Sequence, residues 1–85
     1  MERQVCAVKD DAAETFGQPF FVTAVGAALR SFKDEVNRKA DDNQLFQHPE
    51  HFALWCLGTF DDETGELKPL LRFLVAASDC FNFEE

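Results

Sequence analysis

The stretch Phe52 to Phe60, FALWCLGTF, most constrains what this chain can build. As a strand it sends Phe52, Leu54, Cys56 and Phe60 to one side and Ala53, Trp55, Leu57 and Thr59 to the other. Both sets are largely apolar. A strand wet on one side alternates with polar residues, so both faces of this one require cover. The chain offers one good cover, Thr23 to Arg38, TAVGAALRSFKDEVNR. There Val25, Leu29, Phe32 and Val36, with Ala28 beside them, form one apolar stripe at helical spacing. A helix of that length spans about 24 Å and can lie across a small sheet.

The other segments supply the rest of the sheet. Gln4 to Val8 reads as a strand, and Lys9 to Gln18 as a loop or one helical turn. Gln18-Pro19 breaks any helix, and Phe20 to Val22 suits a short second strand. Thr23 is the expected N-cap. Gly26 would let the helix approach a neighbour closely, and Glu35 precedes Lys39 at the spacing of a side-chain ion pair. Ala40 to Gln44 ends the helix. Leu45 to His51 is irregular, with a short helical turn from Pro49. Asp61 to Gly65 signals a hairpin, with Gly65 in the left-handed conformation. Glu66 to Lys68 returns antiparallel, Pro69 ends that run at an edge or bulge, and Leu70 to Ala77 reads as a further strand.

The expectation is an α+β fold: one amphipathic helix packed on a small antiparallel sheet of about four strands. Residues 1–77 form the domain and 78–85 an acidic tail with Phe81 and Phe83. One helix covers one face. The face carrying Ala53, Trp55 and Leu57 then calls for a second copy of the chain, with a dimer favoured. Size points the same way. An 85-residue chain with ten Phe and one Trp cannot easily hide every ring.

The net charge of −8 and pI near 4.6 disfavour a broad phosphate-binding surface and favour proteins or basic surfaces as partners. Cys6, Cys56 and Cys80 are odd in number and far apart, which suits a reducing cytoplasm. No run reaches membrane-spanning length. His48 and His51 with Cys56 match no zinc signature, and a thiol in a buried strand is inert. Asp61, Asp62 and Glu63 read as turn chemistry, as do Asp10, Asp11 and Glu14. The four glycines are scattered, so no phosphate loop forms. Neither an enzyme nor a cofactor is indicated. Arg30, Lys33, Arg38 and Lys39 lie on or just after the helix, interrupted by Asp34 and Glu35. Such a row more often faces solvent than phosphate. Phe20, Phe21 and Trp55 could stack on single-stranded bases, though such rings are more often core or a dimer seam.

Two segments resemble a known family. Gly26 to Arg38, GAALRSFKDEVNR, is similar to the helical signature of the small nonstructural proteins of gokushoviruses, microviruses with single-stranded DNA genomes. His48-Pro49-Glu50, Phe52-Ala53-Leu54 and Leu57 to Gly65 resemble a second signature of that family. Ala7 to Asp10 and Gln18 to Phe21 fit its amino-terminal part. Lys9 stands where tyrosine is usual, and His51 where an acidic residue is usual.

The resemblance implies a phage protein made in the host bacterial cytoplasm and absent from the mature capsid. It implies a counterpart of the C protein of phiX-type microviruses, which helps switch the genome from double-stranded replication to single-strand synthesis and packaging. The resulting expectation is a nonenzymatic accessory protein acting through contacts with the viral replication initiator or a procapsid protein. Two other readings stand beside it. One is direct single-stranded DNA binding through Arg30, Lys33, Arg38, Phe20 and Phe21. The other is an acidic mimic of nucleic acid that occupies a host protein's basic groove.

Overall fold

The computed structural model describes residues 1–82. The elements run β1 (Glu2–Asp10), β2 (Thr15–Phe16), β3 (Phe20–Val22), α1 (Val25–Val36), α2 (Gln44–Gln47), a 3-10 turn (Pro49–His51), β4 (Phe52–Asp61), β5 (Leu67–Ala76) and α3 (Ala77–Cys80). The fold is α+β, as expected, and every strand pairing is antiparallel. Among the described residues the sheet has five strands in the order β2-β1-β4-β5, with β3 also paired to β1. The added strand is β2, where a loop or helical turn was expected: Lys9 and Asp10 pair with Phe16 and Thr15.

The apolar stripe of α1 packs on one face of the sheet. Ala28, Phe32 and Val36 join Cys6, Leu54, Cys56 and Ala77 in a single buried cluster. Burying a Phe or Leu side chain contributes about 2–3 kcal/mol, so this cluster is the principal source of stability. The helix is shorter than its periodicity suggested. Ala24, not Thr23, is the N-cap, and no side chain caps it. Gly26 meets no neighbour, because it faces solvent. Glu35 pairs with Arg38 at 2.7 Å rather than with Lys39, since the helix ends at Val36 and the four-residue spacing is lost.

Two asparagines close the far end of α1. Buried Asn43 donates from Nδ2 to the carbonyls of Glu35 and Arg38, both at 2.8 Å, and its Oδ1 accepts from the Leu45 amide. It thereby satisfies carbonyls at the end of α1 and caps α2 at once. Asn37 donates to the Cys80 carbonyl at 3.0 Å and accepts from the Asn82 amide at 2.7 Å. Residues 78–82 of the expected tail are therefore docked: Ala77, just before them, is fully buried, and Phe81 packs on Phe46 with ring centroids 5.5 Å apart. Phe83, Glu84 and Glu85 lie outside the described residues.

Pro69 does not end a strand. β5 continues through it as an edge strand to Ala76, so the returning run and the Leu70 segment are one element. Gly65 adopts φ +78° in the turn, as the hairpin signal required.

The strict alternation expected of Phe52 to Phe60 fails at one point. Cys6 stands opposite Cys56, but the next pair is Val5 with Gly58, which leaves Leu57 as the extra residue of a bulge. Beyond it the β4 side chains change sides. Thr59 stands opposite Gln4, and Phe60 opposite Arg3. Phe60 therefore lies on the face away from α1, with its ring centroid 5.4 Å from that of Phe21. Gly58 makes the bulge possible: its φ is +146°, and a Cβ there would stand 2.1 Å from the Lys68 carbonyl oxygen.

Two substitutions test this account. Gly58→Ala is expected to cost about 3 kcal/mol or more, read as the urea midpoint, because neither the backbone angle nor β5 can accommodate a methyl group. Asn43→Ala is expected to cost about 1–3 kcal/mol, since it removes two hydrogen bonds to chain carbonyls at the end of α1 and the side-chain cap of α2. A loss under about 0.5 kcal/mol in either variant would contradict the role assigned to it.

Candidate functional site

The surface that stands out is the sheet face away from α1, called here the outer face. Helix α1 has 12 residues and spans about 18 Å, whereas β4 and β5 have 10 residues each and span about 33 Å. The helix thus covers one face of the base of the sheet and leaves the β4–β5 end as an arm. The molecule is accordingly elongated, 48 by 24 by 20 Å.

The strand registers determine what the outer face carries. Ala7, Trp55 and Phe73 stand side by side across β1, β4 and β5. The Phe16 and Phe73 rings meet Trp55 edge-on, with centroids 6.0 and 5.5 Å away. The Lys9 ammonium lies 5.6 Å from the Phe16 centroid and 5.7 Å from that of Trp55, a favourable position over aromatic rings. Toward the tip, Val5, Leu57, Gly58, Pro69 and Leu67 line an open apolar cleft of about 330 Å³. Phe21 and Phe60 flank Val5 on its other side. Alternation from Phe73 places Leu71 on this face too. Phe21, Leu67, Leu71 and Phe73 are all more than half exposed.

The residues expected at a subunit interface fall within this face but are not its most exposed members. Ala53 is buried inside the chain, at 4% exposure. Trp55 is half-buried by Phe16 and Phe73, and Leu57 is a half-buried wall of the cleft. The more exposed apolar groups, Phe21, Leu67, Leu71 and Phe73, were missed as a set. The signal that could have found them is the apolar density of LLRF on a strand that Pro69 marks as an edge.

The residues considered for nucleic-acid contact do not form one surface. Arg30 and Lys33 are exposed on α1, and Arg38 is held by Glu35. Phe20 stands opposite Cys6 on the helix side, whereas Phe21 stands opposite Val5 on the outer face. Instead, a second cleft of about 350 Å³ on the helix side of the arm gathers Lys68 and Arg72 with Gln4, Thr59 and Leu70.

Polar clusters noted in the sequence have local partners. The acidic turn Asp61-Asp62-Glu63 receives the Met1 amino group, 2.8 Å from both Asp62 and Glu63. Hydrogen bonds to these carboxylates raise the pKa of that amine. The amine and Arg3 in turn lower the pKa of Asp62, while the Glu63 backbone amide lowers that of Asp61. His48 and His51 stack with centroids 5.6 Å apart beside Glu50, while Cys56 lies inside the core near Gln4. The histidines and that thiol do not converge.

Against this geometry the comparisons become informative. A family model described as Phage ORF5 protein matches residues 3–80, which take in β1 from its second residue and every later element. The chain belongs to the Phage ORF5 protein family. No curated protein and no solved structure gives a significant match. A phage origin therefore rests on the family, and α1, β4 and the outer face all lie within the matched region. No helix among the described residues is long and apolar enough to cross a membrane.

The buried thiol beneath the site gives a pH test. Burial pushes the Cys6 thiol from 9.0 up to about 11. The folded chain thus keeps a proton that the unfolded chain loses first. The associated stability is complete below about pH 9 and is lost as pH rises through about 11. The urea midpoint of the wild type is expected to fall across that window, and to fall less in Cys6→Ala. Equal declines would show that Cys6 is not the titrating group.

Proposed function

We propose that this phage protein is a nonenzymatic accessory factor that acts through protein contacts during synthesis and packaging of a single-stranded DNA genome. Its expected setting is the cytoplasm of a bacterial host infected by a gokushovirus-like microvirus. The observation that carries the reading is the outer face, where Phe21, Leu67, Leu71 and Phe73 are each more than half exposed on one contiguous apolar surface. The acidic net charge supports protein partners over a long phosphate track. The resemblance of the Gly26–Arg38 and Leu57–Gly65 segments to gokushovirus proteins supports the viral setting. It also makes the replication initiator and a procapsid protein the leading partners.

Capture from infected cells tests this. Tagged wild-type protein is expected to retain the replication initiator or a procapsid protein, identified by mass spectrometry. Recovery of neither, from cells in which both are made, would count decisively against the reading.

One observation favours a second reading, direct single-strand binding. Lys68 and Arg72 converge on the helix-side cleft, so two cations share a groove in an otherwise acidic chain. If they contact phosphates, oligonucleotide affinity must fall as salt rises. The joint variant Lys68→Ala, Arg72→Ala should then flatten the slope of log K against log salt by about 1.4. No binding at low salt would remove this reading.

A further inference from the structure

The geometry points to a second copy of this chain as the occupant of the outer face, stacked sheet on sheet about a two-fold axis. This inference rests on the reading of the protein as one that works through protein contacts, and it names the partner and the surface.

Three observations lead to it. The first is area. From their fractional exposures, Phe16, Phe21, Leu67, Leu71 and Phe73 together leave about 500 Å² of apolar side chain open to water. A standard interface takes about 800 Å² from each partner, roughly three-fifths of it apolar, so the face supplies about what one half of a stable dimer needs.

The second is shape. A two-fold interface must be complementary to itself, with the same surface offering a ridge and the hollow that receives it. The outer face has both. Leu71 and Phe73 form a ridge on β5. The cleft of about 330 Å³ lies where Gly58, which carries no side chain, pairs with Pro69. That volume accommodates an aromatic ring with a leucine side chain. Rotation by half a turn seats the ridge of each copy in the hollow of the other.

The third is the state of the neighbouring edge. β5 is an edge strand, which could instead have paired backbone to backbone with another chain. The Lys68 oxygen and the Leu70 nitrogen are the β5 backbone atoms that approach Gly58 of β4. Pro69, between them, therefore turns outward the position where its amide hydrogen is missing. Proline there, with Lys68 and Arg72 beside it, blunts the edge against strand addition. The apolar groups of β5 are thus left to make contacts through their face.

Sedimentation equilibrium of the full chain tests the inference, with matched variants at adjacent exposed positions. Leu71→Lys charges the outer face. Leu70→Lys adds the same charge on the helix side, at nearly equal exposure, 63% against 59%. Both positions are open to water, so both variants keep their fold, checked by circular dichroism. The wild type is expected to sediment as twice 9.6 kDa, with a dissociation constant in the micromolar range. Raising salt should tighten it, because screening relieves repulsion between two chains of charge −8. Leu71→Lys should weaken the dimer at least about tenfold, and Leu70→Lys by less than about twofold. A wild-type monomer at about 100 μM overturns the inference. So does equal loss in both variants, or a dimer indifferent to Leu71→Lys. A monomer that still captures the replication initiator or procapsid protein would overturn only the self-association and leave the accessory reading standing.

Discussion

The close approach of Gly58 to β5 governs the shape of this protein. No side chain fits between that residue and the Lys68 carbonyl, so β4 can bulge at Leu57 and reverse the sense of its alternation. Without the bulge Phe60 would continue on the Leu54 and Cys56 side, beyond the reach of α1. With it, Phe60 joins Phe21 on the outer face, and the helix side of the arm carries Gln4, Thr59, Lys68 and Arg72 instead. One backbone irregularity thus divides the molecule. Its base is covered by a helix, and its arm is apolar on one side and partly charged on the other.

What the sequence made legible was whatever depends on pattern. The apolar stripe at helical spacing located α1, and the unbroken apolar run located β4. The acidic turn closing on Gly65 located the β4–β5 hairpin. The argument that one helix shields one face also followed from pattern, since it needs only the number of covers and the number of faces. What was not legible depends on a contact rather than a period. The bulge at Leu57 arises from tertiary crowding at Gly58, and a glycine in a strand announces a bulge without fixing the side chains it moves. Strand β2 is two residues long and exists because β1 runs on to Asp10 and offers it an edge. Asn37 and Asn43 carry no period that marks them out. Asn37 matters because residues 80–82 return to that helix end, and Asn43 because the chain turns there between α1 and α2.

For the candidate site the division is similar. Trp55 and Leu57 were identifiable as members of a face in need of cover. The sequence could not show that Phe16 and Phe73 close on Trp55 from either side, which shifts the most exposed apolar groups outward to Leu67, Leu71 and Phe21. Nor could spacing show that the basic row on α1 and the Phe20–Phe21 pair are split between surfaces. The pairing with β1 puts Phe20 on the Cys6 side of the sheet and Phe21 on the Val5 side.

The two faces of the arm also bear on how such a small acidic chain could engage more than one kind of partner. Covering the outer face would leave Lys68, Arg72 and the exposed face of α1 in water, because those groups lie on the helix side of the sheet. The separation is partial: Lys9 lies over the Phe16 and Trp55 rings of the outer face, and exposed Leu70 shares the helix-side cleft with Lys68 and Arg72. Burying the outer face need not desolvate Arg72 or the Lys68 ammonium, which avoids the main cost of placing those two charges in an interface. In the proposed dimer the helix side of the arm would stay free for a charged surface. The bulge at Leu57 sharpens the difference between the two sides by moving Phe60 to the outer face beside Phe21.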